Sequence, residues 1–464
     1  MAIKNSEAFT FKAAGLSDAV DATNAPGGAM ALLQNLVPSP KTQSVYVCRP
    51  AALTLTAFAG FNTPTRINAL KVVGSRAYGM VATSRFSGKD EPFCYDLIGN
   101  AFVTINGVTS ANTPTSPSAS GDWTPPSMDA ITSTKIAVCH PGFPGSNSVF
   151  FGIIDTSSFS LTISATTNGT TTLTSATNML TSGVQPGQTI SKADVPAGTT
   201  VVSVASNGLS LVMSASASGS TSSSTTIAGG TPSAPLWMGV NTNLNPLSAV
   251  PVSVAQFNGR AWFAVGNSVV YTDALVPTQV TNASQALILG DNQPVTALFG
   301  VPLDSPITGG VVQSLTAFKG AAPFYQISGD QATSNLATNQ VNGSVGTISP
   351  GTLATSPLGT MFIAPDGLRI LGLNGQVTNP IGAYGKGVCF PFTVAASPSR
   401  MTAAFNQNVY RVTMQNSQIT GSPYQEYWYD LSLETWSGPH TSAFNIIAPF
   451  YGSTLGFVLS LIHI

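Results

Sequence analysis

The sequence carries little charge. Charged residues make up 8% of its 464 residues and the formal net charge is −1, whereas typical soluble domains contain about 25% charged residues. Lys and Arg (17) balance Asp and Glu (18), so no basic excess points to nucleic-acid binding. Net charge keeps proteins apart in solution, so a surface this poor in charge indicates burial in an assembly. Hydrophobic residues reach 43%, which excludes the composition typical of disorder.

Residues used for metal and redox chemistry are also scarce. The chain has three histidines and four cysteines, all far apart in sequence: His140, His440, His463, Cys48, Cys94, Cys139 and Cys389. No C-x-x-C or H-E-x-x-H spacing occurs, so no zinc site is expected. The cysteines are predicted to be isolated, buried thiols. Neither a metal nor a cofactor is expected.

Motifs of catalysis are missing as well. The sequence contains no nucleophile elbow, no phosphate-binding loop, no G-x-G-x-x-G after a strand and no calcium loop. A glycosidase needs two carboxylates about 5–10 Å apart, and the adjacent Asp90 and Glu91 are predicted to lie on a loop. Asp122, Asp129 and Asp366 are isolated and are interpreted as solvated turn residues. The chain is predicted not to be an enzyme, with no catalytic, cofactor-binding or metal residues.

Neither end of the sequence resembles a membrane segment. The first residues, MAIKNSEAFTFKAAG, lack an apolar stretch, so no signal peptide is expected. The apolar tail 446–464 is interrupted by Pro449, Gly452 and Gly456 and is not predicted to span a membrane. Its last residues, SLIHI, resemble a translated sequencing adapter, so the native C-terminus is expected to be missing.

Turn residues are abundant. The chain has 44 glycines and 32 prolines, and Asn-Gly or Asp-Gly pairs separate apolar runs at positions 258–259, 366–367 and 374–375. Such pairs are the strongest short-range signal of a β-hairpin. With abundant Thr and Val they predict an all-β protein. Hairpin units recurring about every 25–45 residues predict a β-propeller of about six blades.

One phrase occurs twice, as CYDLIGNAFVTI at 94–105 and WYDLSLETWSGP at 428–439. Both copies follow an apolar run and a polar loop, so they are interpreted as corresponding parts of two blades. Asp96, Asp430 and Asp273 are predicted to accept turn N–H groups. Aromatic residues are predicted to fill the space between blades: Phe150, Phe151, Trp262, Phe324, Tyr325, Phe362, Tyr427 and Trp428.

Residues 156–232 differ in composition, since Ser, Thr, Ala and Gly dominate them. Apolar residues on alternate positions between PG, PAG and NG turns predict a small β-sandwich-like module inserted in a loop. A flexible linker is the alternative. The predicted division is an N-terminal arm (1–65), a first part of the propeller (66–155), the module (156–232) and a second part of the propeller (233–464).

Several stretches resemble the tail-nozzle and tail-hub β-propeller proteins of short-tailed (podovirus-type) bacteriophages. They are GGVVQSL (309–315), AFKG (317–320), ISGD (327–330), VGTISP (345–350) and MFIAPDGLR (361–369). Gly27-Gly28 and Cys48-Arg49-Pro50 look similar to the N-terminal arm of those proteins. The resemblance covers roughly 1–155 and 234–450, outside the inserted module.

The resemblance implies a structural virion protein, made in the host cytoplasm and located in the phage tail. Copies of the chain would form a ring, a hexamer, that serves as nozzle or hub and continues the DNA conduit used in ejection. Its implied partners are other tail or adaptor proteins, passing phage DNA, and tail fibres or the host surface. A conduit without basic patches suits DNA that slides, because Lys and Arg clusters would hold phosphates.

A second function stays open, that of a glycan-binding or host-surface adhesin. Exposed aromatic rings such as Trp123 and Trp237 would then stack on sugars. A kelch-like oxidase or hydrolase is a weaker alternative, since the YDL phrase is similar to one in kelch blades. The lack of a Cys, Tyr and His metal set argues against it.

Overall fold

The computed structural model describes most of the chain from residue 66 onward and four short strands before it. The described residues are 15–16, 29–30, 36–38, 46–48, 66–83, 85–117, 122–145, 149–241, 247–290, 292–304, 311–320, 322–330, 335–341, 345–381, 395–415, 424–441, 444–450, 453–458 and 461–463. They form an all-β protein of several antiparallel sheets, as the turn chemistry predicts. Short 3-10 turns occur at Pro350–Thr352 and Pro398–Arg400.

The N-terminal segment, predicted as an arm, contributes four short strands. β1 (Gly15–Leu16) pairs in parallel with β2 (Ala29–Met30), and β3 (Leu36–Pro38) pairs antiparallel with β4 (Tyr46–Cys48). Most of residues 1–65, including Gly27-Gly28 and Arg49-Pro50, lies outside the described residues.

Thirty-two strands follow. Sheet 1 contains β5 (Arg66–Val73), β6 (Arg76–Thr83), β7 (Lys89–Asp96) and β8 (Ala101–Val103). Sheet 2 contains β9 (Ser127–Thr132), β10 (Lys135–Cys139), β11 (Val149–Asp155) and later β18 (Leu236–Asn241). Between β11 and β18 come β12 (Ser160–Thr167), β13 (Thr172–Thr174), β14 (Thr189–Ser191), β15 (Val201–Val204), β16 (Ser210–Met213) and β17 (Ser222–Ala228).

Five more sheets complete the chain. Sheet 3 contains β19 (Ser253–Phe257), β20 (Arg260–Val265), β21 (Ser268–Tyr271) and β22 (Ala286–Ile288). Sheet 4 contains β23 (Val295–Asp304), β24 (Val311–Lys319), β25 (Tyr325–Ser328) and β26 (Ala337–Gln340). Sheet 5 contains β27 (Ala354–Ser356), β28 (Gly359–Ala364) and β29 (Gly367–Gly372). Sheet 6 contains β30 (Thr402–Asn406), β31 (Val409–Gln415), β32 (Tyr424–Asp430) and β33 (Thr435–Thr441). Sheet 7 contains β34 (Ile446–Phe450), β35 (Ser453–Val458) and β36 (Leu461–His463).

Each of these sheets is a meander in which consecutive strands pair antiparallel, apart from the interruption in sheet 2. The hairpin between β19 and β20 shows why. Asn258 and Gly259 have φ values of 49° and 68°, the left-handed geometry that lets a two-residue turn match the twist of the flanking strands. The Asn-Gly pair therefore closes this hairpin tightly.

Successive sheets pack face to face through buried apolar clusters. Sheets 1 and 2 share Tyr78 and Val138, and sheets 2 and 3 share Phe151 and Phe263, whose ring centroids lie 4.4 Å apart. Further clusters join sheets 3 to 4, 4 to 5, 5 to 6 and 6 to 7. Ile446 of sheet 7 packs in a cluster of sheet 1. Within the described residues, seven sheets therefore pack in a closed succession, compared with the predicted six or so hairpin units.

The predicted aromatic residues lie in these clusters. Phe150, Phe151, Trp262, Phe324, Tyr325, Phe362 and Tyr427 are buried, and Trp428 is half-buried.

Residues 160–228 form their own six-stranded sheet, in the order β14-β17-β12-β13-β16-β15. Its two edge strands meet, because the Ile190 N–H donates to Thr199 O and the Val201 N–H to Gln188 O, both at 2.8 Å. The sheet therefore closes on itself, and we call residues 160–228 the inserted barrel. A sandwich-like module was expected; instead a single sheet encloses one apolar core that includes Leu173, Leu211 and Ile227.

The two ends of the inserted barrel lie close together. β11 and β18 pair with each other, with Asp155 opposite Leu236. The Ser158 N–H donates to Gly230 O at 2.7 Å. The barrel therefore occupies the position of a turn between two neighbouring strands of sheet 2.

Candidate functional site

A row of side-chain hydrogen bonds joins the first strands of neighbouring sheets. Ser253 Oγ of β19 accepts the N–H of Leu298 of β23 at 2.9 Å. Thr402 Oγ1 of β30 accepts the N–H of Ile447 of β34 at 3.2 Å. A similar bond runs from Val254 N–H to Ser127 Oγ at 3.1 Å. These Ser and Thr hydroxyls join neighbouring sheets. They do so without charged side chains, which fits the low charge of the chain.

Asp90 and Glu91 do not lie on a loop, which corrects the prediction made for them. Both are on β7 and are buried, with exposed fractions of 0% and 1%. His140 Nε2 lies 2.9 Å from Asp90 Oδ2, and Asn68 Nδ2 donates to the same oxygen. Burial acts to raise the pKa of Asp90, but the hydrogen bonds from His140 and Asn68 outweigh it and lower that pKa.

The orientation of His140 is fixed by its second nitrogen. Nδ1 accepts the backbone N–H of Gly142 at 2.9 Å, so Nε2 carries the proton donated to Asp90. The pair ties sheet 1 to the end of β10 in sheet 2. It is fully buried, so its geometry fits a structural role better than contact with a substrate.

The second described histidine is equally enclosed. His440 is fully buried on β33, opposite Glu426 of β32, and its Nε2 lies 3.2 Å from Ser437 Oγ. Glu426 in turn accepts a hydrogen bond from Arg411. The cluster combines Ser, His and Glu, but none of its side chains reaches solvent. The side chain of His463 lies outside the described residues.

The aspartates of the repeated phrase form turns, as predicted. Asp96 Oδ1 accepts the N–H groups of Ile98 and Gly99, both at 3.0 Å, and these bonds lower its pKa. Asp430 Oδ1 accepts those of Ser432 and Leu433 at 2.8 and 3.0 Å.

The third predicted turn aspartate, Asp273, accepts the Thr281 N–H at 3.3 Å. The aromatic partners of the two phrases also match: the Tyr95 and Phe102 rings lie 4.8 Å apart, and the Tyr429 and Trp436 rings 5.2 Å apart.

The isolated carboxylates are each engaged by a neighbour. Asp129 Oδ1 lies 2.7 Å from Lys71 Nζ. Asp366 accepts a hydrogen bond from Arg369 Nε at 2.8 Å, which lowers its pKa. Asp122 is exposed and accepts the Ser399 N–H at 3.1 Å. The structure does not bring these aspartates together.

Two of the four cysteines are described, and both are buried free thiols, as predicted. Burial raises the pKa of Cys94 to about 11 and raises that of Cys139 as well. Thiols held protonated in this way react poorly as nucleophiles. Cys389 and the side chain of Cys48 lie outside the described residues.

Trp237 and Trp123 do not form exposed platforms, which corrects the expectation made for them. Trp237 has an exposed fraction of 2%, and its Nε1–H donates to Asn112 O at 3.0 Å. Trp123 is half-buried, and the guanidinium carbons of Arg66 and Arg400 each lie 5.0 Å from its ring centroid. We call Arg66, Trp123 and Arg400 the Trp123 bracket. Sequence reasoning missed it because the two arginines are 334 positions apart.

Every described cation is used within the chain. All twelve Lys and Arg residues in the described ranges have a polar partner: Arg66, Lys71, Arg76, Arg85, Lys89, Lys135, Lys192, Arg260, Lys319, Arg369, Arg400 and Arg411. The other five, Lys4, Lys12, Lys41, Arg49 and Lys386, lie outside the described residues. Each of these twelve cations therefore has at least one polar contact within the chain.

Among the described ranges, no three His, Cys, Asp or Glu side chains come together as a set of metal ligands. None of the helices in this part of the chain is long and apolar enough to cross a membrane.

Comparisons with known proteins add little. No protein-family model matches the chain, and no curated protein matches it. Among solved structures, the chain is similar to the crystal structure of the computationally designed Ika8 protein, with 9% identity over 88% of this chain and 98% of that one and a TM-score of 0.37. A TM-score this low carries no argument, so fold and function rest on the chain's own residues.

Proposed function

We propose that the chain is a β-propeller of seven blades and a structural protein of a phage tail. The closed succession of sheets supports the propeller, because each sheet covers one face of the next and sheet 7 packs on sheet 1. The number of described sheets favours seven blades over the six or so predicted from the hairpin signals. The inserted barrel interrupts the second blade.

In this proposal copies of the chain assemble into a ring, a hexamer, that serves as nozzle or hub of the tail. Other tail or adaptor proteins bind to it, and phage DNA passes through it during ejection. The resemblance of residues 309–369 to tail-nozzle proteins suggests this class. The ring would then be part of the virion, and the chain would be made in the host cytoplasm.

The observation that carries the proposal is the internal pairing of all twelve described cations. A wall that leads DNA without holding it must offer few free cations, since each phosphate contact adds salt-dependent affinity. Twelve Lys and Arg side chains that each have a polar partner within the chain fit that requirement. The absence of a motif for catalysis and the burial of both described histidines favour a structural role over an enzymatic one.

The two rings named for the adhesin alternative are not free platforms, because Trp237 is buried and two arginines lie next to the half-buried Trp123.

Oligomeric state tests the proposal. Size-exclusion chromatography with light scattering should give six copies per particle, and negative-stain images should show rings with a central channel. Duplex DNA should not be retained by the purified protein at low salt. A monomer at all concentrations that binds a glycan array would overturn the assignment, and tight salt-dependent DNA binding would overturn the conduit.

A further inference from the structure

Lys135, Gln185 and Asp155 meet where the inserted barrel rests on sheet 2. Lys135 is the first residue of β10, and Asp155 lies directly opposite it on β11. Gln185 belongs to the inserted segment, between β13 and β14. Lys135 Nζ donates to Gln185 Oε1, although 50 positions separate the two residues. One amine, one carboxamide and one carboxyl group are thereby brought to the same place.

All three side chains are shut off from water. The exposed fractions are 7% for Lys135, 7% for Gln185 and 0% for Asp155. The backbone at Gly229 lies so close to Asp155 Oδ2 that a side chain there would have no room. Asp155 Oδ1 accepts the Ser157 N–H at 2.9 Å, whereas Oδ2 has no hydrogen-bond partner among the described residues.

Burial of the Lys135 side chain favours the neutral form of its amine. Burial lowers the pKa of Lys135, and the charge of Asp155 opposes this only in part. A neutral lysine amine is a nucleophile. The backbone of Gln185 is held in place, because its N–H donates to Gln188 Oε1 at 2.9 Å.

We propose that Lys135 and Gln185 form an intramolecular isopeptide bond that fastens the inserted barrel to sheet 2. The reacting species is the neutral Lys135 amine. Its Nζ attacks Cδ of Gln185; the Nζ–Cδ bond forms and the Cδ–Nε2 bond breaks. Nε2 gains the proton that Nζ loses, so it leaves as ammonia. The step needs no oxidant, reductant or added reactant.

Proximity makes the step feasible without an enzyme. Two groups held in reactive geometry react as if each were present at a very high concentration, and this lowers the activation barrier. The enclosed site also keeps water from competing with the amine for the carboxamide carbon. Lys192, which is also buried, serves as a contrast: its Nζ contacts the carboxylate of Asp194 and no carboxamide.

Intact-mass spectrometry of the purified full chain tests the bond. The wild-type protein should be lighter than its sequence by the mass of one ammonia. Lys135→Arg, which keeps the hydrogen bond but lacks the amine, should have its full sequence mass. Peptide mapping of the wild-type protein should find the peptides around Lys135 and Gln185 joined, with no tryptic cleavage after Lys135.

Gln185→Glu distinguishes this reaction from other losses of ammonia. In that variant the leaving group becomes water, so the mass deficit should equal one water. A wild-type protein that keeps its full mass after long incubation at neutral pH overturns the proposal. So does an ammonia deficit that persists in Lys135→Arg. Neither result depends on the proposed function in a phage tail.

Discussion

Ser253 Oγ accepts the backbone N–H of Leu298 at 2.9 Å and so joins sheet 3 to sheet 4 across 45 positions of sequence. Both residues are buried. Replacing Ser253 by Ala would leave that N–H without a partner, and a buried polar group without a partner costs about 1–3 kcal/mol. We expect the free energy of unfolding in urea to fall by about that amount.

Ser224→Ala is the matched control, since Ser224 is exposed on the inserted barrel. Exposed substitutions of this kind change stability by about 0.5 kcal/mol or less. Equal stabilities of the two variants would contradict a sheet-joining role for Ser253.

Asp90 should make the protein sensitive to acid. Its pKa is lowered in the folded state, because the hydrogen bonds from His140 and Asn68 outweigh the effect of burial. A lowered folded pKa contributes stability above the unfolded value of about 3.9, and this stability is lost as the pH falls through the folded pKa. Asp90→Asn should therefore flatten the acid limb of a plot of unfolding free energy against pH.

The same substitution should cost about 1.5–3 kcal/mol at neutral pH, the scale of a hydrogen bond to a charged group. Asp304→Asn is the control, because Asp304 is exposed on the projecting end of β23. Urea titrations between neutral and acidic pH would measure both. An acid limb of unchanged slope in Asp90→Asn would refute this account of the buried carboxylate.

The Trp123 bracket should stabilise the loop that follows sheet 1. A guanidinium over an indole contributes about 0.5–2 kcal/mol, depending on how far water is excluded. With two arginines next to the ring, Trp123→Ala should lower the unfolding free energy by about 2 kcal/mol. Trp123→Phe should keep most of it.

Combining Trp123→Ala with Arg400→Ala in a double-mutant cycle would measure the coupling directly. Strictly additive losses would show that the bracket contributes nothing beyond the packing of separate side chains.

The inserted barrel should be removable. Since Asp155 pairs with Leu236 and Ser158 bonds to Gly230, replacing residues 159–229 by two glycines should leave β11 and β18 joined by a turn. We expect the shortened chain to give a cooperative thermal transition and a strand-type circular dichroism spectrum. The segment 156–232 expressed alone should fold as well, because it has its own core. An insoluble shortened chain would show that the barrel supports sheet 2.

The sequence pattern over a few residues predicted the strands well where turn residues separate them. Asn258-Gly259 closes a hairpin as expected, and Asp96 and Asp430 form turns as expected, because these effects act over a few residues. The strands of sheet 7 were not predicted individually. Pro449 and Gly456 interrupt its apolar run, yet both lie in paired strands.

Long-range contacts account for what the sequence could not predict. Asp90 and Glu91 looked like loop residues because adjacent carboxylates usually face water. Asp90 is buried because one of its partners comes from elsewhere: His140 lies 50 positions away. The burial of Trp237 and the contact between Lys135 and Gln185 likewise depend on which strands meet in space.

The contact between sheet 7 and sheet 1 determines where a mechanical force would first separate the molecule. In the described residues no strand is shared there; Asn445 Nδ2 donates to Ile67 O at 2.6 Å, and Ile446 packs in an apolar cluster with residues of sheet 1. All other neighbours among the seven sheets follow each other along the chain, so separating them still leaves them tethered. Among the residues that the structure describes, only non-covalent contacts hold this joint, so a force applied to the two halves of the circle would open it there first.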